Sequence, residues 1–111
     1  MSEIERPSQN SARTSAVYEC RPDELLDAAA RAVESLPNWS LSTRDETGVR
    51  AVRATSLLRF KDDVELKAEP DENTDRTRIE LTSASRVGKS DLGQNPRNLR
   101  ELLDALDREL G

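Results

Sequence analysis

The sequence contains no histidine and only one cysteine, one tryptophan, one tyrosine and one phenylalanine among its 111 residues. Without histidine the chain cannot build a Ser-His-Asp or Cys-His catalytic arrangement, an HExxH zinc site or a histidine pH switch. Cys20 has no second cysteine for an internal disulfide and no histidine to activate it as a nucleophile. We interpret Cys20 as a small buried hydrophobic residue on a strand and expect no structural zinc site.

Long apolar runs and a basic face are also missing. Hydrophobic residues make up 34% of the chain and charged residues 35%, and no stretch approaches the roughly 18 apolar residues of a membrane span. Residues 1–13 are polar and no apolar run follows them, so they do not read as a signal peptide. The net charge is −5, and acidic residues surround Arg50, Arg53 and Arg59. We therefore expect a soluble cytoplasmic protein that binds neither nucleic acid nor a membrane.

The length is suited to a single domain. Residues 1–13 are rich in serine, asparagine, glutamine and proline and show no apolar period. Such a composition predicts a flexible polar tail. The remaining residues, 14–111, are predicted to form one α+β domain.

Two helices are predicted from apolar residues spaced three or four apart. The first begins at Pro22, carries the stripe Leu25, Ala29, Val33 and Leu36, and ends at Pro37. The second has Asn95 as its N-cap and Pro96 as its first helical residue. Its leucines form an apolar stripe that continues almost to the C-terminus, at positions 99, 102, 103, 106 and 110.

Five strands are predicted from alternating apolar residues and from turn-forming segments. The first covers residues 14–20, the second begins at Trp39, the third covers residues 49–55, the fourth covers residues 58–70, and the fifth includes Ile79, Leu81 and Val87. Residues 45–48 read as a turn and residues 70–75 as a hairpin loop. Small and charged residues in the third strand predict an exposed or edge position for it.

The resulting order is β-α-β-β-β-β-α. Sequential strands joined by short turns favour an antiparallel sheet of about five strands, and two one-sided helices must then cover one of its faces. The predicted fold class is therefore α+β. The order of elements is similar to that of TATA-binding-protein-like and small helix-grip folds, which is an analogy of topology only.

The hairpin of the fourth and fifth strands carries polar residues on its core side. If Leu66 faces Ile79, then Asp62 faces Ser83 and Phe60 faces Ser85. A carboxylate on the core side is costly unless it accepts hydrogen bonds, which serine hydroxyls can donate. Two interpretations remain open, a structural network at the end of the sheet and a polar pocket between sheet and helices. Arg86 falls on the opposite face, where an ion pair with Asp63 or Asp91 is the alternative to ligand binding.

Two weaker patterns are set aside. The segment Gly88–Gly93 contains Gly-Lys-Ser before a helix, but a P-loop needs glycine where this chain has Ser83, and Asp91 disfavours an anion. Asp62 and Asp63 are neighbours on a strand and point to opposite faces, so they cannot easily share a metal ion. We expect no metal site and no cofactor.

Two blocks carry a resemblance to a known family. Residues 60–65 read Phe-Lys-Asp-Asp-Val-Glu, and residues 83–95 read Ser-Ala-Ser-Arg-Val-Gly-Lys-Ser-Asp-Leu-Gly-Gln-Asn. They resemble the family called domain of unknown function 1499, in which an F-x-D-D-V-E strand precedes a run close to R-S-A-S-R-x-G-x-S-D-x-G-x-N-R and a C-terminal helix. The chain departs from that pattern at Thr82, Lys89 and Pro96, and it lacks the cysteine- and proline-containing N-terminal segment of many members. The resemblance spans most of the chain from Tyr18 onward and brings no known activity with it.

The sequence predicts a candidate ligand-binding region at one end of the sheet. It is formed by Asp62, Ser83, Ser85, Arg86, Ser90, Asp91 and Asn95. The favoured function is a non-catalytic accessory module that binds a small polar ligand or a protein partner, with no catalytic residue assigned. The first alternative is an enzyme with Asp62 or Asp91 as acid or base and Arg86 holding an anionic group. The second is a structural protomer whose exposed third strand pairs with another chain. A monomer or a weak homo-oligomer is expected.

Overall fold

The computed structural model describes residues 3–54, 60–71, 75–86, 91 and 93–111. Within these residues the chain forms five strands and two helices in the predicted order. Their bounds are β1 Ser11–Tyr18, α1 Pro22–Ser35, β2 Trp39–Arg44, β3 Gly48–Ala54, β4 Lys61–Pro70, β5 Thr77–Ser85 and α2 Gln94–Leu110. The strands pair antiparallel in the spatial order β1-β5-β4-β3-β2. The predicted α+β class and order of elements are confirmed.

Both helices lie on one face of the sheet. Helix α1 packs against α2 and β2, and α2 packs against β1 and β5. The inward side of α1 carries mainly alanine, at positions 28, 29, 30 and 32, beside Leu25, Leu26 and Val33. Small side chains allow the helices and the sheet to approach closely, so the space between them is filled by a continuous apolar core. No helix in the described ranges is long and apolar enough to span a membrane.

Strand β1 begins three residues earlier than predicted. Ser11, Ala12 and Arg13 pair with Ala84, Ser83 and Thr82 of β5, so residues that the sequence assigned to the tail lie in the sheet. Upstream of them Glu5 forms an isolated bridge with Arg13. The strand ends at Tyr18, and Cys20, which was predicted to lie on it, follows the strand and is only partly buried.

The predicted edge position of the third strand is wrong. Strand β3 lies between β2 and β4, and β2 is the edge strand on that side. Of its small and charged residues, Arg50 faces solvent, whereas Ala51 and Arg53 face the helices. Strand β2 contains a register shift between Leu41 and Thr43, an irregularity that discourages further edge pairing. Strand β3 is therefore not available to pair with another chain, as the oligomer hypothesis assumed.

The hairpin of β4 and β5 has a register two residues away from the prediction. Asp62 pairs with Ser85, Val64 with Ser83 and Leu66 with Leu81. A shift by two preserves which residues face the core, so alternation alone could not distinguish the two registers. Phe60, predicted to lie on the core side, precedes β4 and is 46% exposed. Leu58 and Val87, predicted at strand ends, lie outside the described residues.

Candidate functional site

Polar side chains form one row across the helix-facing side of the sheet, at the end where the first turns of α2 lie. Trp39 of β2 pairs with Arg53 of β3, Arg53 with Asp62 of β4, and Asp62 with Ser85 of β5. Cross-strand partners point to the same face, so these four side chains lie side by side. Helix α2 covers the row with Asn95, Asn98 and Glu101, whose spacing of three residues places them on one side of a helix. Six residues in and beside this row are called the polar end, namely Asp62, Ser83, Ser85, Asp91, Asn95 and Asn98.

Asp62 is the buried carboxylate of the polar end, with 2% of its surface exposed. Its Oδ1 accepts a hydrogen bond from Ser85 Oγ at 2.8 Å, and its Oδ2 accepts one from Asn98 Nδ2 at 2.8 Å. Each carboxylate oxygen is therefore compensated by a neutral donor, as a charge removed from water requires. Helix α2 and strand β5 each supply one of these donors, so the carboxylate holds both elements against β4.

Asn95 joins the remaining parts of the polar end. Its Oδ1 accepts a hydrogen bond from Ser83 Oγ at 2.6 Å. Its Nδ2 lies 2.9 Å from Ser85 Oγ, 2.7 Å from Asp91 Oδ2 and 2.8 Å from the carbonyl oxygen of Asn10. The predicted N-cap role of Asn95 is wrong, because α2 begins at Gln94 with Gly93 as N-cap and the Asn95 side chain points inward. The amide side chain connects the sheet, the helix and the N-terminal segment.

Asp91 takes over the capping of α2. Its carboxylate accepts hydrogen bonds from the backbone N–H of Gly93 at 2.7 Å and of Asn95 at 3.1 Å, and from Arg6 Nη2 at 2.8 Å. Burial by itself raises the pKa of Asp91, but the hydrogen bonds from Arg6, Gly93 and Asn95 outweigh it, and the pKa is lowered overall. These donors therefore favour the ionised form of the Asp91 carboxylate.

Residues 3–10, which the sequence assigned to a flexible tail, lie against the polar end. Arg6 contacts Asp91 and also donates to the carbonyl oxygens of Gln9 at 2.8 Å and Ser11 at 3.1 Å. The carbonyl of Gln9 also accepts from the backbone N–H of Asp91 at 3.2 Å. The role of Arg6 could not be predicted from local sequence, because its contact with Asp91 joins residues 85 positions apart.

Arg86 does not join the other candidate residues. It extends over the open face of the sheet and makes a bidentate ion pair with Asp63. The Nη2–Oδ1 distance is 2.8 Å and the Nε–Oδ2 distance is 3.0 Å. The hydrogen bonds from Arg86 lower the pKa of Asp63. The structure thus has the ion pair that the sequence gave as the alternative to ligand binding. Ser90 lies outside the described residues.

Arg53 is a site residue that sequence analysis missed. Its side chain is only 16% exposed, and its buried Nε finds no hydrogen-bond acceptor among the residues that the structure describes. Glu101 approaches it most nearly, with an Oε1 that lies 4.0 Å from that Nε and accepts the indole N–H of Trp39 at 2.6 Å. The alternation of the strand could have indicated its inward position, because Arg53 continues the series of inward-facing residues Val49 and Ala51.

Grooves on the open face of the sheet lie away from the polar end. One of about 510 Å³ is lined by Ser42, Thr43, Arg50, Ala51, Asp63, Val64, Glu65, Thr82 and Ala84. Another, of about 370 Å³, is lined mainly by charged side chains of β3, β4 and β5, among them Arg50, Glu65, Lys67, Arg78 and Glu80. Along β3 and β4, Arg50 pairs with Glu65 at 2.8 Å, so this charge is balanced within the sheet. Within the described ranges no three cysteine, aspartate or glutamate side chains converge to hold a metal ion.

Comparisons with known proteins bear on the family and the fold. The model of the family described as Protein of unknown function (DUF1499) matches residues 2–106. The crystal structure of CalU16 from Micromonospora echinospora is similar with a TM-score of 0.55 and 15% identity, over 91% of this chain and 76% of that chain. The crystal structure of TTHA0849 from Thermus thermophilus has a TM-score of 0.45 and 13% identity, over 89% and 95%. No curated protein matches the chain. At these identities the likeness to CalU16 supports the fold alone.

Proposed function

The chain belongs to the family described as Protein of unknown function (DUF1499), and we propose that it is a non-catalytic module that binds a small polar ligand beside Arg53. The observation that carries this proposal is the buried Arg53 Nε, a charged donor without an acceptor in the part of the chain that the structure describes. Buried polar groups in native proteins are almost always hydrogen-bonded, and an exception needs a physical reason. A ligand that brings an acceptor to this position supplies that reason.

A non-catalytic role is supported by how the candidate carboxylates are used. Both oxygens of Asp62 accept hydrogen bonds from within the protein, and Asp91 is held ionised by its donors. Ser85 donates to Asp62, but a carboxylate is too weak a base to activate a serine hydroxyl by itself. Arg86, the third residue of the enzyme hypothesis, lies over the other face of the sheet. The separation of Arg86 from the two carboxylates supports a binding role over a catalytic one.

A small ligand is favoured over a protein partner at this position because Arg53 is recessed. Only 16% of its side chain is exposed, and Trp39, at 8% exposure, lies beside it. A flat protein surface reaches exposed side chains, whereas a compact group can reach a recessed donor. The hydrogen-bonded network around Asp62 lies on the neighbouring strand, beside Arg53.

The proposal is tested by thermal unfolding in the presence of a broad panel of metabolites. We expect a ligand that raises the Tm of the wild type but not that of Arg53→Gln. At a hundredfold excess over Kd the stabilisation is about 2.7 kcal/mol, or roughly 10 °C for a domain of this size. Arg86→Gln is the matched control, because it removes an arginine of the open face, and it should respond like the wild type.

A panel in which no compound raises the Tm of the wild type would mean that the small-ligand function is wrong. A compound that stabilises the wild type and Arg53→Gln but not Arg86→Gln would instead place the binding surface on the open face.

A further inference from the structure

We propose that Arg53 binds a carboxylate group of the ligand and that Glu101 is the internal competitor for this arginine. The inference rests on the proposed function and deepens it by assigning the chemical class of the ligand. It is carried by three side chains that we call the Arg53 site, namely Trp39, Arg53 and Glu101.

Among the described residues the Nε–H of Arg53 has no acceptor, and a ligand that brings an acceptor would satisfy it. A guanidinium group carries five N–H donors and no acceptor, so it can be satisfied only by an oxygen or a similar atom. Neither nearby carboxylate gives Arg53 Nε a hydrogen bond, since Asp62 accepts from Ser85 and Asn98, and Glu101 Oε1 accepts from Trp39 at 2.6 Å. At 4.0 Å from Nε, Glu101 Oε1 is within ion-pair range of Arg53 but beyond hydrogen-bond distance.

The charges around Arg53 weigh against a doubly charged ligand. A guanidinium pairs best with an ionised, planar acceptor, because such hydrogen bonds are roughly twice as strong as neutral ones. Asp62 on the adjacent strand and Glu101 on α2 already place two negative charges beside one positive charge. A dianionic phosphate would be repelled more strongly than a carboxylate by these neighbours. The site therefore favours a carboxylate over a phosphate.

Glu101 competes with the ligand because it offers Arg53 a long ion pair in the unbound protein. Its side chain is 34% exposed and can turn toward solvent, whereas Arg53 is held inside. Glu101→Gln keeps the side-chain oxygen that accepts the indole N–H of Trp39 but removes the competing charge. This substitution should therefore tighten carboxylate binding, an effect opposite to the usual loss on mutating a site residue.

The fluorescence of Trp39, the single tryptophan of the sequence, can be used to follow binding at the Arg53 site. Because the Trp39 indole is hydrogen-bonded to Glu101, its fluorescence should change when Glu101 moves. The experiment is a fluorescence titration with acetate, lactate, benzoate and inorganic phosphate, each at an ionic strength kept constant with sodium chloride. We expect saturable changes with at least one carboxylate, about tenfold weaker binding in Arg53→Gln and Arg53→Lys, and about tenfold tighter binding in Glu101→Gln. Arg50→Gln, which breaks an ion pair with Glu65 on the open face, should leave the affinity unchanged.

The outcomes separate this inference from the proposed function. If the metabolite panel yields a stabilising ligand but Glu101→Gln weakens its binding, or if phosphate binds more tightly than every carboxylate, the inference is wrong and the small-ligand function stands. Unchanged binding by Arg53→Lys and Arg53→Gln, with both variants folded, also overturns it. The Glu101 variant keeps the test decisive even if the Arg53 variants fail to fold.

Discussion

Asp62 shows how neutral donors can compensate a carboxylate that is buried inside a protein. Its two oxygens receive one hydrogen bond each from a serine hydroxyl and an asparagine amide. The charge of the next residue, Asp63, is instead compensated at the surface by an exposed ion pair with Arg86. The two carboxylates are adjacent in sequence but should contribute differently to the free energy of unfolding. Surface ion pairs contribute little, whereas a buried polar network leaves unsatisfied groups when one member is removed.

Asp62→Ala is therefore expected to lower the free energy of unfolding by about 1–3 kcal/mol, because Ser85 and Asn98 lose the acceptor to which they donate. Asp63→Ala is the matched control and should change it by about 0.5 kcal/mol or less. Urea denaturation of both variants and the wild type measures the difference. Equal small effects of the two substitutions would contradict the structural importance of the network.

At the scale of single residues the sequence predicted faces but not partners. Parity correctly placed Asp62, Ser83 and Ser85 on the core side of the hairpin. It could not predict that Ser85 rather than Ser83 bonds to Asp62, because that depends on the register. Asn98 was missed because its partner lies 36 residues away, and its importance follows only once α2 is docked on the sheet.

Helix α2 begins in an unusual way, and the polar end depends on it. Gly93 is the N-cap and has φ of 82°, in the left-handed region, without a side chain that could cap the helix itself. Asp91 supplies the acceptor from two residues upstream, by binding the backbone N–H groups of Gly93 and Asn95. Because Asp91 performs the capping, the Asn95 side chain is available to bind Ser83 and Ser85 inside the protein.

Gly93→Ala should destabilise the protein by about 1–2 kcal/mol, because a side chain at positive φ is strained even though nothing lies close to the new Cβ. Gly111→Ala is a closely matched control. Gly111 also has a positive φ of 80° and open space around it, but it lies at the C-terminal end of α2, away from the polar end. The midpoints of thermal unfolding of the two variants measure the contrast. A loss in Gly111→Ala as large as that in Gly93→Ala would show that the effect does not arise from the start of α2.

At the scale of elements the type and order of each segment could be predicted, and the long-range arrangement could not. The helices follow from apolar stripes and the strands from alternation, which are local signals. The register of β4 and β5 was two residues off because parity is unchanged by such a shift. The position of β3 inside the sheet depends on pairing with both β2 and β4, and its composition alone gave the wrong answer.

For the molecule as a whole, the polar end is the place where four separate parts of the chain meet. Residues 6–10, the start of β4, the end of β5 and the start of α2 are linked there by hydrogen bonds between Arg6, Asp62, Ser85, Asp91 and Asn95. The block of residues 83–95 that carries the family resemblance supplies most of these groups. The described residues of this block therefore link the helix and the N-terminal segment to the sheet, and Arg53 lies on the strand next to Asp62.

Stability against acid should depend on Asp91 because its pKa is lower in the folded protein than the value of about 3.9 for an unfolded chain. A group whose pKa is lowered by folding contributes stability above its unfolded pKa, and that contribution is lost as the pH falls toward the folded value. We expect the wild type to lose stability as the pH falls from neutral to below about 3.9. Asp91→Asn should be less stable than the wild type at neutral pH but should lose less over the same interval, because its amide does not titrate.

The measurement is the free energy of unfolding in urea across this pH range, with Asp75→Asn as the control at an exposed position. The control should follow the wild-type profile, and the profiles of the wild type and Asp91→Asn should converge in acid. Parallel profiles for the wild type and Asp91→Asn would mean that the ionised Asp91 does not hold the polar end together. The Arg6 contact would then be a consequence of the fold and not one of its supports.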